Sequence, residues 1–361
     1  MKSKRAFDIS LLVIIILLAV MGVLALATTS TPLSLKLTNN PNFYLFHQIL
    51  WGLLPGLVLG FVAYKIPLHS LKKWSFFIFV VAYILMLLVF IPALSKTEWG
   101  ATRWLDLGFT SIQPSEILKL ATILYLAAIL NNEKSRKKFT TFGIILVLVC
   151  SALFFQKDMG TLIVIFAIMM AMFFCSKTPI KQTIAIVLIA VVGFTGLILS
   201  EPYRLQRVTS FLHPETDTLG TSYHINQALI SVGSGGLAGS GLGLSVQKFG
   251  FVPQSISDSI FAIFAEEVGF IGSAILIALF MGLFLTASSV GKRLNDEYLR
   301  LIAVGIGCWF VTQAVVNIGA MIGLLPLTGI PLPFMSYGGS HLMMELIACG
   351  FLLSISKHAK A

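Results

Sequence analysis

Charge is what this sequence lacks. Of its 361 residues only 11% are Asp, Glu, Lys or Arg, against about 25% in a soluble domain. A soluble chain of this size can hide apolar residues in a core, but it needs charge to clothe its surface. An ordinary water-soluble fold is thereby excluded, and lipid must be part of the solvent. Cysteine is scarce too. Cys150, Cys175, Cys308 and Cys349 all sit in apolar runs and none forms a CxxC pair. They read as small buried hydrophobes, not as disulfide or thiolate–metal positions. The first apolar run follows Lys2, Lys4 and Arg5 but has no small-residue cleavage site with a soluble domain behind it, so it reads as a membrane helix and not as a signal peptide. No internal repeat is visible, which withholds support from an inverted-repeat transporter.

What is abundant is apolar sequence: 57% of residues are hydrophobic, and the mean hydropathy is +0.92. A helix needs about 20 apolar residues to cross a bilayer. Suitable runs lie at 9–28, 46–64, 74–94, 115–131, 139–155, 160–176, 180–199, 260–289, 300–325 and 334–356. Only Gln156–Gly160 separates the fifth from the sixth, and the two also read as one broken helix, so the count is open by a span or two. With the N-terminus inside, the pieces 1–8, 65–73, 132–138, 177–182, 290–300 and 357–361 carry 17 of the 25 Lys and Arg residues. This is the positive-inside pattern. The net charge of +10 therefore reports topology and calls for no nucleic-acid partner. The expected fold is an all-α polytopic membrane protein, one integral domain over 1–361 with about ten transmembrane helices. Both termini are cytoplasmic, and a long extracytoplasmic loop, 200–259, joins helices seven and eight and packs back over the bundle.

Ionisable groups in or beside spans are costly, so each needs a partner or a task. Arg103 and Trp104 precede Gln113-Pro114-Ser115-Glu116, where Pro114 and Glu116 suit a helix start. Glu116 and Lys119 share a face, as a structural ion pair or as a polar groove for an anionic or sugar substrate. Trp104 suits sugar stacking or interface anchoring. Lys157 and Asp158 form a solvated turn or line the mouth of the same cavity. The loop opens with Arg204 and Arg207, which would share a helix face and hold phosphate oxygens, or lie on lipid headgroups. The Gly-rich stretch 233–243 lacks the GxxxxGK[ST] order and reads as close backbone approach or flexibility, not as a nucleotide site. Asp258 reads as a helix-start acid beside a capping Ser257, or as a functional carboxylate. Glu266 and Glu267, deeper in the same helix, must face protein, water or substrate. Pro331 through Ser340, including Ser336 and Tyr337, breaks regular helix near the outer face. His341 and Glu345 are spaced to pair.

These residues also carry a resemblance. Gly100-Ala101-Thr102-Arg103-Trp104-Leu105 with Ile112 through Lys119, Asp158-Met159-Gly160-Thr161, Tyr203 through Arg207, Gln227 through Gly236, Asp258-Ser259-Ile260-Phe261-Ala262 with Glu266-Glu267, and Pro331 through Ser340 run in order along nearly the whole chain. Together they resemble the SEDS family (shape, elongation, division and sporulation proteins, the FtsW and RodA group). Asn317-Ile318-Gly319 and Leu324 through Phe334 look more like the division members than the elongation members, and a sporulation paralogue has the same look. Two places depart from the family pattern. His341 stands where a second serine is common, and Pro253 through Ser257 replaces a more acidic Pro-Glu segment.

The resemblance implies a peptidoglycan glycosyltransferase that polymerises lipid II into β-1,4-linked glycan and releases undecaprenyl pyrophosphate, for septal wall synthesis. It implies catalysis by Asp258, and partners in a class B penicillin-binding protein transpeptidase and other divisome membrane proteins. In that reading Arg103, Trp104, Glu116, Lys119, Arg204, Arg207, Ser336 and Tyr337 bind substrate or pyrophosphate. Lys157, Asp158, Glu266 and Glu267 support them. A divalent cation, Mg or Mn, is an optional cofactor. The rival readings are a lipid II flippase or other transporter and a non-catalytic divisome scaffold.

Overall fold

The computed structural model describes residues 7–98, 101–106, 108, 111–132, 135–176, 178–213, 215, 220 and 222–359. Gly100 of the first signature lies outside them. So do Lys2, Lys4, Arg5, Glu133, Lys134, Lys177 and Lys360 of the charge tally.

Helices dominate: α1 (Ile9–Thr38), α2 (Phe43–Gln48), a π-helical turn (Ile49–Leu53), α3 (Leu54–Lys65), α4 (Leu68–Leu88), α5 (Pro114–Asn132), α6 (Ser135–Phe155), α7 (Met159–Cys175), α8 (Ile180–Leu199), α9 (Pro202–Leu212), α10 (Tyr223–Ser234), α11 (Ile260–Lys292), α12 (Glu297–Met321) and α13 (Gly339–Ser356). The π turn joins α2 to α3 in one segment, Phe43–Lys65. Among the described residues nine segments are long and apolar enough to cross a bilayer, and α7, with 17 residues, is a shorter apolar helix. The chain is a multi-pass helical membrane protein. Its α1 runs ten residues past the apolar run that marks it in the sequence, because hydropathy registers the lipid boundary while a helix continues into water.

The fifth and sixth apolar runs are two helices, not one broken helix. Lys157 turns the chain with φ 56, and Asp158 caps α7 by accepting from the Thr161 amide at 3.1 Å. Lys138 Nζ, near the start of α6, donates to the Ser176 carbonyl just past the end of α7 at 3.2 Å, so the pair is an antiparallel hairpin.

Most of α5, α12 and α13 is buried, while α8 is almost wholly exposed. Gly52 in the π turn and Gly56 and Gly60 on α3 recur every four residues and face α13. A Cβ at Gly60 would lie 2.7 Å from the Leu346 carbonyl oxygen, and one at Gly350 would collide with the Gly60 carbonyl. Small residues let helix backbones approach closely in membranes, and here they seat α3 against α13.

Two segments depart from the helical expectation. Residues 95–112 contain a three-stranded antiparallel sheet, β1 (Ser95–Glu98), β2 (Ala101–Asp106) and β3 (Ser111–Ile112), with Lys96 opposite Trp104 and Leu105 opposite Ile112. α11 begins at Ile260, with Ser259 at its N-cap position. The turns before it include Gln254 at φ 51, so Asp258 stands in a shaped turn ahead of the helix and is not an acid of its first turn.

Candidate active site

The turn that carries Asp258 is fastened from three sides. Asn317, buried near the end of α12, donates from Nδ2 to the Asp258 carbonyl at 2.7 Å and to the Ile330 carbonyl at 2.7 Å. The Ser336 hydroxyl donates to the Ser257 carbonyl at 2.5 Å and accepts from the Leu332 amide at 2.7 Å, while the Tyr337 amide donates to the Ile256 carbonyl at 2.8 Å. On α10, His224 Nε2 lies 2.6 Å from Ser259 Oγ. That hydroxyl spends its own proton on the Pro253 carbonyl at 2.8 Å. His224 must then donate from Nε2, which leaves Nδ1 as its acceptor.

The Asp258 carboxylate is half-buried and well supplied with donors. Ser257 Oγ donates to Oδ1 at 2.7 Å. The Gln254 amide faces it too. The orientation that satisfies both groups points Nε2 at the carboxylate, 2.7 Å from Oδ2 and 2.5 Å from Oδ1. Beyond the carboxylate opens a cavity of about 280 Å³ lined by Asp258, Gln254, His224, Arg207, Tyr203 and residues of α9 and the 327–329 turn. Arg207 Nη1 donates to the Leu327 carbonyl at 3.0 Å, and its guanidinium lies 5.9 Å from the Tyr203 ring centre. Burial pushes the His224 imidazole below its ordinary value. The Asp258 carboxylate pulls it upward and Arg207 reinforces the lowering.

The chemistry of this arrangement is that of a base beside a cation. A carboxylate held by neutral donors can take a proton from a hydroxyl, and a guanidinium across the same space can hold an anionic leaving group. A second basic wall adjoins it. Arg103 Nη2 donates to the Lys157 carbonyl at 2.5 Å, and Nη1 lies 3.9 Å from Asp158 Oδ1. Tyr203 Oη donates to the same Lys157 carbonyl at 3.4 Å.

A family model described as cell cycle protein, covering FtsW, RodA and SpoVE, matches residues 9–361. The chain belongs to that family. It is 36% identical to stage V sporulation protein E of Bacillus subtilis, with 99% of each chain covered. It is 35% identical to the probable peptidoglycan glycosyltransferase FtsW of Coxiella burnetii, covering 97% of this chain and 96% of that one. In fold it is similar to a chain of a peptidoglycan synthase complex that coordinates polymerization and crosslinking, at TM-score 0.81 and 23% identity over 97% of this chain and 98% of that one. It is also similar to the rod shape determining protein RodA of Thermus thermophilus, at TM-score 0.73 and 24% identity over 99% and 98%.

The family's other signature residues do not all reach this cavity. Arg204, three residues before Arg207, turns into the bundle. Its Nη1 donates to the Leu197 carbonyl at 2.9 Å, and its guanidinium sits 5.0 Å from the Phe154 ring centre. The helical spacing of the two arginines holds, but only Arg207 lines the cavity. Trp104 stands on β2, away from the lining.

Glu116 and Lys119 lie in the bundle interior, paired at 2.7 Å. Lys119 Nζ also donates to Gln313 Oε1 at 2.9 Å and sits 4.8 Å from the Trp309 ring centre. His341 bridges Glu116 at 3.0 Å and Glu345 at 2.9 Å, so the spacing of His341 and Glu345 does produce a pair. The cluster reaches the site's scaffold through Gln313 Nε2, which donates to the Pro331 carbonyl at 2.9 Å, and through the Phe334 amide, which donates to Glu345 Oε2 at 2.9 Å. Ser336 and Tyr337 belong to the same scaffold. Tyr337 Oη bonds His47 Nδ1 at 2.9 Å.

Glu266 and Glu267 face protein. Glu266 accepts from Ser245 Oγ at 2.5 Å, Ser231 Oγ at 3.1 Å and the Val246 amide at 2.9 Å. Glu267 pairs with buried Lys248 at 3.1 Å. The Gly-rich stretch packs against them. A Cβ at Gly235 or Gly239 would strike the Ala265 or Glu267 carbonyl, and Gly269 takes φ 69 where α11 kinks around that contact. Close backbone approach is therefore the correct reading of Gly235 and Gly239, while Gly233, Gly236 and Gly243 have nothing within 4 Å of a Cβ.

Three residues of the site were not assigned a role from the sequence: Gln254, His224 and Asn317. An amide within the apolar last two turns of α12 was a usable signal for Asn317. Nothing in the pattern marks His224 or fixes which way the Gln254 amide turns.

Proposed function

We propose that this family member is a peptidoglycan glycosyltransferase that polymerises lipid II into β-1,4-linked glycan and releases undecaprenyl pyrophosphate, in septal wall synthesis. The observation that carries the reading is the Asp258 carboxylate opening onto a cavity shared with Arg207, in a chain 35% identical to a relative of that probable activity. In this reaction the 4-hydroxyl of one disaccharide attacks the anomeric carbon of a lipid-linked chain. Asp258 takes the hydroxyl proton as the new C–O bond forms, which requires an approach of about 3 Å. The bond to pyrophosphate breaks in the same displacement, its electron pair leaves on the pyrophosphate oxygen, and the anomeric centre inverts. No covalent intermediate is needed. Arg207 holds the departing charge, with Arg103 and Lys157 next to it. Arg204, Ser336, Tyr337, Glu116 and Lys119 support the cavity from behind, and Trp104, on β2 and outside the lining, serves as an interface anchor.

One carboxylate, Asp258, lines the cavity, and an Mg or Mn ion bound there would take its remaining oxygens from the pyrophosphate and water. Among the described residues no group of three or more His, Cys, Asp or Glu is arranged to hold a metal ion. A cation carried by the pyrophosphate is part of the substrate.

The reading comes with a topology: ten spans with α7 counted, both termini cytoplasmic, and 200–259 on the outer side of the inner membrane at the septum. Partners are a class B penicillin-binding protein transpeptidase and other divisome membrane proteins. The fold shared with a chain of a polymerization and crosslinking complex supports the first.

Polymerisation of purified lipid II by Asp258→Asn, assayed with the cognate transpeptidase present, tests the assignment. The variant inserts and binds its partner but makes no glycan. Near-normal polymer would sink it.

A further inference from the structure

The end of the bundle remote from Asp258 holds a second cavity, of about 300 Å³, lined by Tyr64, Lys65, His69, Lys357, His358 and the start of α12. Along α12 it lies about 27 Å from Asn317, counting 1.5 Å for each residue from Leu299. Four chain ends meet here: the last turn of α3, the first of α4, the first of α12 and the last of α13. It is the face on which Lys and Arg gather.

Its charge is uncompensated. Lys357 Nζ sits 3.3 Å from the Tyr64 ring centre, and Lys65 Nζ lies 5.7 Å from that same ring and 5.2 Å from that of Phe61. One aromatic ring thus gathers two ammonium groups. Among the described residues neither lysine has a carboxylate partner. The acids of this face are spent elsewhere: Asp8 pairs with Arg293 at 3.0 Å, Glu297 with Arg300 at 3.1 Å, and Asp296 caps α12. α4 enters the cavity behind Pro67 with no acid in its first turn, so no side-chain anion neutralises the backbone amides there. His69 and His358 add polar rings to the rim.

The surroundings set the depth. Trp74 is 60% exposed and Tyr64 lines the cavity, and Trp and Tyr side chains mark the level of the lipid headgroups. Val58 and Val62 extend an exposed apolar face along α3 from the cavity toward the bilayer interior. A ligand here meets cations at its head and an apolar wall along its tail. Basic cavities between helices on this side of a membrane take anionic lipid heads.

We propose that this cavity binds the phosphodiester headgroup of an anionic phospholipid, held by Lys65 and Lys357, with its acyl chains along α3. The site is separate from the Asp258 cavity and does not depend on the reaction assigned to it.

The test uses the full-length protein in bilayer nanodiscs of equal phosphatidylglycerol and phosphatidylcholine, with retained lipid read by native mass spectrometry. Wild type retains phosphatidylglycerol preferentially. Lys65→Gln and Lys357→Gln each lower that retention about fivefold, the worth of one surface cation near an anionic lipid. The Lys→Arg pair restores it, while lipid II polymerisation continues in all of them. Equal retention of the two lipids, or unchanged retention in the double Gln variant, overturns the proposal. Displacement by millimolar inorganic phosphate, or by undecaprenyl phosphate ahead of phosphatidylglycerol, overturns the phospholipid assignment in favour of a free anion or the substrate's own carrier. Should the double variant fail to fold, amine labelling of wild type decides. Phosphatidylglycerol must protect Lys65 and Lys357 relative to phosphatidylcholine, and equal labelling overturns the site.

Discussion

Asn317 gives both hydrogens of one amide nitrogen to backbone, one to Asp258 and one to Ile330, each at 2.7 Å. It joins the turn that carries the carboxylate to the turn that closes the cavity. Asn317→Leu keeps the branched shape and removes both bonds. Displacing a reacting group by an ångström costs about a hundredfold, so kcat for lipid II polymerisation falls by about that factor while KM changes little. A kcat within twofold of wild type would show that the turn holds without this residue.

Gln254 presents an amide to the Asp258 carboxylate at 2.5 and 2.7 Å. Gln254→Glu puts two carboxylates in that space, and two so close share one proton before both ionise. The acid limb of the pH–rate profile therefore moves to higher pH, and the rate at neutral pH falls. Gln254→Ala removes a donor to the ionised carboxylate without adding a charge, so it lowers the rate and moves the limb the same way by less. Coincident acid limbs for the wild type and the Glu variant would contradict the contact.

His224 is held below its ordinary value chiefly by burial. Its neutral form is therefore the folded form. As pH drops from the ordinary imidazole value, about 6.5, toward the lower value in the fold, the unfolded chain binds a proton that the folded chain refuses. Stability falls through that window and not above it. Thermal melts of wild type and His224→Gln, compared at pH 7.5 and 5.5, should converge at the lower pH. A difference that is constant across the window would remove His224 from the account.

The Glu116–Lys119 pair at 2.7 Å is buried in the bundle. Breaking a buried pair on one side strands its partner at a cost of about 3–5 kcal/mol. Lys119→Met should therefore lower the melting temperature and the yield of folded protein, read by fluorescence-detected gel filtration. A melt equal to wild type would mean that His341 alone satisfies Glu116.

Much of this was legible in advance, for identifiable reasons. Spans are legible because lipid forces about 20 apolar residues per crossing, and the two-sided distribution of lysine and arginine is the sequence signal of orientation. Asp258 was reached through the resemblance and not through its spacing, since a carboxylate near a helix start has a bland explanation. The direction of Arg204 was out of reach. Helical spacing placed it beside Arg207, but whether a guanidinium points into a cavity or back onto Phe154 depends on neighbours from other helices. The Gln254 amide and the Ser259–His224 bond belong to the same class, being contacts between segments whose pairing only the fold supplies. The sheet over 95–112 was missed because its strands are too short to carry an alternating pattern.

The turn at 254–259 and the turn at 330–337 are riveted together through Asn317, Ser336 and the Tyr337 amide, and the second turn continues directly into α13. The carboxylate is thus mounted at the tip of a lever whose shaft lies in the bilayer. Any push on α13 through α3, whose backbone touches it at Gly60 and Gly350, arrives at the Asp258 carboxylate as a change of aim. Whatever grips this protein within the membrane holds a handle on its chemistry.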